Sequence, residues 1–152
     1  MSDDLQTTVV LASYNGAARI VRQLESIRLQ TRRADRVLIV DDCSADNTRE
    51  VIDGYIRDHH LQNWRLISNQ RTLGWKENFF RGLRQVDEDL VFLCDQDDEW
   101  LPEKIEKMTK AMEENPQIEV MACDYRLIYE SGSIRMREYR KTRRERDGLV
   151  GR

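Results

Sequence analysis

Asp95, Asp97, Asp98 and Glu99 place four carboxylates within five residues of sequence. In an extended segment residues two apart share a face, so the spacing predicts that Asp95 and Asp97 point the same way. Crowded carboxylates resist ionising together unless a cation neutralises them. An oxygen-only donor set, with no His or Cys among it, selects a hard cation, Mg²⁺ or Mn²⁺. Held by one or two carboxylates, such a cation keeps positions open for phosphate oxygens and stabilises charge on a departing diphosphate. The same residues also read as a solvated acidic turn capping the following helix, a role that suits Asp98 and Glu99.

Position weighs between the two readings. The cluster directly follows the apolar run Leu90 to Cys94, and a second acidic pair, Asp41-Asp42, follows Val37 to Val40. An acidic residue after a second strand also suits a dinucleotide fold, but G-x-G-x-x-G is missing after the first strand. Tyr14-Asn15-Gly16-Ala17-Ala18 offers one glycine there, and no G-x-x-x-x-G-K-[ST] occurs anywhere. Hydride transfer and phosphate-loop chemistry are thereby set aside. Cys43, Cys94 and Cys123 are odd in number and widely spaced, and His59-His60 stand far from all of them. Buried thiols in a reducing compartment are expected rather than a zinc site.

The elements that must position these groups alternate in period. Thr7 to Ser13, Val37 to Val40, Trp64 to Ser68 and Leu90 to Cys94 read as buried strands, with a fifth between Ile118 and Tyr129. Between them, Ile20, Val21, Leu24 and Ile27 mark one helix, and Val51, Ile52, Tyr55 and Ile56 a second. Phe79, Phe80, Leu83 and Val86 mark a third. Leu101, Ile105, Met108 and Met112 mark a fourth, with Pro102 in its first turn and Asn115-Pro116 ending it. Ser131-Gly132-Ser133 reads as a turn. Alternating elements with apolar strands predict an α/β fold, a mostly parallel sheet flanked by helices on both faces. Ligands in such sheets sit beyond the carboxyl ends of the strands. Those ends carry Ser13-Tyr14-Asn15, Asp41-Asp42, Ser68-Asn69 and Asp95-Gln96-Asp97-Asp98.

Four segments in this order resemble the family 2 glycosyltransferases: Val9 to Gly16, Val40 to Thr48, Asn69 with Leu73-Gly74 and Asn78-Phe79, and Cys94 to Ile105. The Asp-Gln-Asp-Asp-x-Trp form is similar to bacterial rhamnosyltransferases. The resemblance covers about Thr7 to Tyr129 and implies the GT-A fold, a nucleotide-binding sheet followed by an acceptor-binding half. It also implies roles for residues. Tyr14 would stack on the nucleobase, with Ser13 and Asn15 beside it, and Asp42 would accept the imide N–H of uracil or thymine. Asp95 would face the ribose or the metal, Asp97 would ligate the metal bridging the phosphates, and Asp98 is the next ligand candidate. Lys76 is the candidate contact on the phosphate side. The reaction implied is inverting transfer from a UDP- or dTDP-linked sugar to a glycan or lipid-linked acceptor. Ala12 departs from the Thr or Pro of many members, and Lys76-Glu77 replaces the usual basic residue before Asn78.

The largest departure is the end, where the family's acceptor half and general base are not recognisable. Residues 1–130 are expected to form the nucleotide-sugar-binding domain, the GT-A sheet cut short. Residues 131–152 are expected to form a basic, solvated and mobile segment, with contact to anionic lipid at the inner membrane face as its functional reading. The candidates Glu130, Glu138, Glu145 and Asp147 have no strand-end context to fix any of them as a base. A donor site without a base leaves a non-catalytic nucleotide-sugar sensor or scaffold as the alternative. A metal-dependent nucleotidyltransferase would need a glycine- and basic-rich loop in place of Ala17-Ala18-Arg19.

Composition bounds the rest. The chain has 152 residues and a net charge of −3, which gives no reason to invoke nucleic acid. No apolar run approaches the roughly 20 residues that span a bilayer. Met1-Ser2-Asp3-Asp4 is acidic where a secretory signal is basic, so a cytoplasmic location is expected.

Overall fold

The structure, a computed structural model, describes residues 4–128 and 134–137. The chain divides into two compact units, Met1–Thr109 and Lys110–Arg152.

The first unit is built on four parallel strands, β1 (Thr7–Ser13), β2 (Arg36–Asp41), β3 (Trp64–Ser68) and β4 (Leu90–Asp95), in the order β3-β2-β1-β4. Because all four run the same way, their carboxyl ends share one edge: Ser13 pairs with Asp41, Asp41 with Ser68, and Ala12 with Asp95. Helices α1 (Ile20–Arg28), α2 (Thr48–Asp58), α3 (Trp75–Leu83) and α4 (Lys104–Glu114) connect or follow the strands. Side chains alternate across the sheet with the period of two. Val9, Leu11, Val37, Ile39, Phe92 and Cys94 enter one core cluster with Ile20, Leu24, Ile27, Ile52 and Ile105. Val10, Leu38 and Val40 enter the other, against Phe79 and Val86. The expected mostly parallel α/β sheet with helices on both faces is what forms.

Differences from the sequence reading have local causes. Val21 is 47% exposed, and the inward position beside it belongs to Gln23, whose amide donates to Cys94 Sγ at 2.6 Å. Phe80 also faces out, because α3 approaches the sheet through Asn78 and Gly82. A Cβ on Gly82 would lie 2.5 Å from Val10 Cγ1, so only glycine permits that approach. Strand β4 is an edge strand, and its Val91 and Leu93 are exposed while Phe92 and Cys94 are buried. The expectation that every strand is covered on both sides fails there. Pro102 lies in a turn ahead of α4 rather than in its first turn, and Leu101 is exposed. Cys94 is buried as expected and its thiol pushed up by burial, but Cys123 is exposed.

In the second unit, β5 (Tyr125–Ile128) pairs antiparallel with β6 (Ile134–Arg137), from Tyr125↔Arg137 to Ile128↔Ile134. Of the basic segment expected at 131–152, residues 134–137 form β6, which carries Arg135 and Arg137, while the expected turn at 131–133 and residues 138–152 lie outside the described residues.

Candidate functional site at the carboxyl edge of the sheet

Two acidic groups stand on this edge, and they are held in different ways. Asp41, fully buried, accepts Ser13 Oγ at 3.1 Å, the Ser44 N–H at 2.9 Å and the Ser44 hydroxyl. Cys43 takes a left-handed backbone (φ 60°), which returns Ser44 to that carboxylate. Asp42, 3% exposed, accepts Asn69 Nδ2 at 2.6 Å and the Leu73 N–H at 2.7 Å on Oδ1, and the Gly74 N–H at 2.8 Å on Oδ2. Gly74 has φ 88°, a conformation that side chains disfavour, and this sets its N–H on Asp42. Asn69 also donates to Asn78 Oδ1 at 2.9 Å, Asn78 donates to the Val40 carbonyl at 2.8 Å, and Arg81 donates to Asn69 Oδ1. The asparagines singled out in the sequence therefore hold the 69–74 loop and the start of α3 around Asp42. The Oδ2 atom of Asp42, with one donor, retains acceptor capacity for a second.

The loop after β1 is fixed through its backbone. Asn15, at φ 47°, donates its N–H to Ser44 Oγ and accepts the Ala45 N–H on its own Oδ1 at 2.8 Å. Gly16 N–H donates to Thr48 Oγ1 at 2.8 Å. The side chains of Ser13 and Asn15 are thus used inside the protein, while the Tyr14 ring is 47% exposed above the edge. Lys76, near the start of α3, is exposed.

The carboxylates after β4 are all exposed and lack such a network. The chain turns at Gln96–Asp97 instead of continuing extended, so the extended backbone on which the shared face of Asp95 and Asp97 was expected ends at Asp95. Asp98 folds back to accept from the Asp95 backbone, and its charge, more than that of Asp97, acts on Asp95. Partial loss of hydration, then Asp98 and Asp97, raise the Asp95 carboxyl above its usual range. Asp98 is raised by the same loss of hydration and by Asp97, against a lowering contribution from Lys104. Lys104 Nζ itself sits 4.0 Å from the ring centroid of Trp100, which is buried against Phe92 and braces the turn from below. Glu99 leaves the cluster and lies 3.9 Å from Arg22. Among the described residues no three His, Cys, Asp or Glu groups form a ready-made metal cage. The exposed, mutually repelling oxygens fit a hard cation as part of a coordination shell that phosphate or water would complete.

Two residues escaped the sequence reading. Gln96, inside the acidic run, accepts the Tyr14 N–H on Oε1 at 2.9 Å and donates Nε2 to the Tyr14 carbonyl at 2.8 Å. A Cβ on Gly16 would lie 2.1 Å from Gln96 Oε1, so Gly16 makes room for that amide. Partners some eighty residues apart leave no spacing to read. A neutral residue at the centre of four carboxylates was the available hint.

Comparison with known proteins identifies the family and the fold. The family model described as glycosyl transferase family 2 matches residues 8–150. The dTDP-rhamnosyl transferase RfbG of Shigella flexneri is 35% identical over 98 residues, covering 62% of this chain and 34% of that protein. The UDP-Glc:α-D-GlcNAc-diphosphoundecaprenol β-1,3-glucosyltransferase WfgD of Escherichia coli is 28% identical over 127 residues, covering 83% of this chain and 48% of that one. The chain therefore spans about a third to a half of the length of these curated relatives. Among solved structures, the mannosyltransferase PcManGT of Pyrobaculum calidifontis in complex with GDP-Man and Mn²⁺ superposes with a TM-score of 0.67 at 23% identity. That match covers 77% of this chain and 34% of the mannosyltransferase. The fold is the GT-A fold.

Proposed function

Starting from the fact that this chain belongs to glycosyl transferase family 2, we propose that it is the donor-binding part of an inverting glycosyltransferase using a UDP- or dTDP-linked sugar. Tyr14 stacks on the base, and the imide N–H of uracil or thymine donates to Asp42 Oδ2, the oxygen with acceptor capacity to spare. Asp95, Asp97 and Asp98 hold Mg²⁺ or Mn²⁺ against the diphosphate, and exposed Lys76 is the candidate phosphate contact. The cation, when bound, neutralises charge on the leaving diphosphate. The turn's own part is to present exposed, under-neutralised oxygens on the edge where β1 also delivers Tyr14. That observation, exposed and mutually repelling carboxylates near an exposed aromatic at the carboxyl edge of a parallel sheet, carries the reading.

The acceptor is a glycan or a lipid-linked sugar, the latter supported by the diphosphoundecaprenol-linked acceptor in the name of WfgD. Transfer would then occur on the cytoplasmic face of the membrane. No helix among the described residues is long and apolar enough to cross one. The base candidates Glu130, Glu138, Glu145 and Asp147 all lie outside the described residues, and the catalytic base is not assigned.

Calorimetry tests the reading. UDP and dTDP are expected to bind more tightly with Mn²⁺ than with EDTA, and Asp97→Ala to abolish that difference. CDP is expected to bind more weakly than UDP by about 1–3 kcal/mol, because its ring presents a lone pair to Asp42 where uracil presents a proton. Equal affinity with and without Mn²⁺ in the wild type removes the metal from the mechanism.

A further inference from the structure

The two halves of the proposed donor site come from distant parts of the chain, Tyr14 after β1 and the carboxylates after β4. One side chain joins them. Gln96 sits between Asp95 and Asp97, and its amide makes both hydrogen bonds to the Tyr14 peptide groups, accepting at 2.9 Å and donating at 2.8 Å. That is the pairing a neighbouring strand would supply, provided here by a side chain beyond the last residue of β4. Gly16 is part of the device, since a Cβ there would meet Gln96 Oε1 at 2.1 Å and Gln96 Cδ at 2.5 Å. The loop is otherwise tied to the β2 side, through Ser44, Ala45 and Thr48. Gln96 ties the loop to the β4 side.

We infer that Gln96, with the space left by Gly16, is a positioning residue that fixes the distance between the base-stacking Tyr14 and the diphosphate-binding carboxylate turn. The inference rests on the donor-site reading above. Its consequence is specific to ligands that span both halves. A ligand held at two points gains from their fixed separation, because the second contact is made at high effective concentration. Loosening the tether removes that gain and leaves each single contact as it was. Gln96 touches neither base nor metal in this scheme, and it works through the backbone of Tyr14.

The probes are UDP with Mn²⁺, which spans both halves, uridine, which reaches only the base side, and pyrophosphate with Mn²⁺, which reaches only the turn. Gln96→Met keeps the side-chain length and removes both hydrogen bonds. Gly16→Ala leaves Gln96 and every carboxylate in place but pushes the amide off Tyr14. Each variant is expected to weaken UDP–Mn²⁺ by roughly 3- to 10-fold, the effect of two partly hydrated neutral hydrogen bonds. Uridine and pyrophosphate–Mn²⁺ are expected to stay within about twofold of wild type. The double variant is expected to lose no more than either single one, because both break the same tether. Amide exchange at Tyr14 in the ligand-free protein is expected to speed up in both variants. Equal weakening of all three probes would make Gln96 a general structural support and overturn the inference, as would Gly16→Ala binding UDP–Mn²⁺ like wild type. If the wild type binds no UDP at all, the donor-site reading fails and the inference with it. Normal wild-type binding with unchanged UDP–Mn²⁺ affinity in Gln96→Met sinks the inference alone.

Discussion

Asp41-Asp42 and Asp95-Asp97-Asp98 occupy equivalent places, each beginning at the last residue of a parallel strand, yet the fold treats them in opposite ways. The first pair is buried and surrounded by donors, with Asp42 alone accepting from Asn69, Leu73 and Gly74. The second group is exposed, and partial loss of hydration, followed by repulsion among its members, raises Asp95 and Asp98. The cause is placement in the sheet. β2 is an interior strand flanked by β1 and β3, so loops from both sides close over its end, whereas β4 lies at the edge. Donors from the protein itself occupy Asp41 and most of Asp42, leaving one acceptor position on Asp42 Oδ2 for the proposed base contact, whereas the less satisfied oxygens at the end of β4 are the proposed metal ligands. Identical residue types therefore differ in how much acceptor capacity the fold leaves open.

The most direct way to break this comparison is to remove one carboxylate from each side. Asp42→Ala strands three donors around a buried hole, and it is expected to destabilise the protein by about 3–5 kcal/mol. Asp97→Ala removes an exposed charge with no internal partner to strand and is expected to stay within about 0.5 kcal/mol of wild type. Urea unfolding at neutral pH, without divalent metal, measures both. Similar losses in the two variants would mean that the carboxylates after β4 are as structural as Asp42.

Much of this contrast lay beyond the sequence, for identifiable reasons. The four strands were legible because buried parallel strands are nearly continuous apolar runs, as Val9-Val10-Leu11 and Val37-Leu38-Ile39-Val40 are. The edge was legible because polar residues follow each run. Which acid would be satisfied was not, since the donors to Asp42 come from residues 69–74, brought there by β3 and the left-handed turn at Gly74. Strand order was not readable either, and with it went the exposure of Val91 and Leu93 on β4. Phe80 was misplaced because a helix that docks through Asn78 and Gly82 presents a polar and a small residue where periodicity expects bulk.

A finer test concerns charge within the turn. Asp98 in its ionised form carries a loss of hydration and, after it, the repulsion of Asp97, so the folded state resists its charge. Asp98→Asn keeps an acceptor for the Asp95 N–H and removes the charge. It is expected to raise neutral-pH stability by at most about 1 kcal/mol, because the groups are exposed and screened. Mn²⁺ is expected to stabilise the wild type more than this variant in a thermal melt. A loss of stability in Asp98→Asn without metal would mean that the turn depends on that charge.

An effect of similar size lies away from the edge and supplies the opposite sign for comparison. Glu25 on α1 accepts from Arg28 at 2.5 Å and from the Tyr55 hydroxyl of α2, while Arg28 Nε also reaches Tyr55 at 3.1 Å. The Arg28 hydrogen bond first, and then that of Tyr55, hold the Glu25 carboxyl down at about 2. Burial and the Glu25 hydrogen bond push the Tyr55 phenol up to about 12. A lowered carboxyl stabilises the fold while it is ionised. That contribution is complete above the ordinary glutamate range and fades as the pH falls from about 4.5 through about 2. The Asp98 charge behaves in reverse, since protonation there relieves the fold. Glu25→Gln keeps a hydrogen-bond acceptor and removes the titration. Because Glu25 is 39% exposed, the wild type is expected to exceed this variant by no more than about 1 kcal/mol at pH 7. The gap is expected to close as the pH falls toward 2, followed by urea midpoints at successive pH values. A gap that persists unchanged at low pH would trace it to packing rather than charge, and would remove Glu25 as the counterexample to the turn.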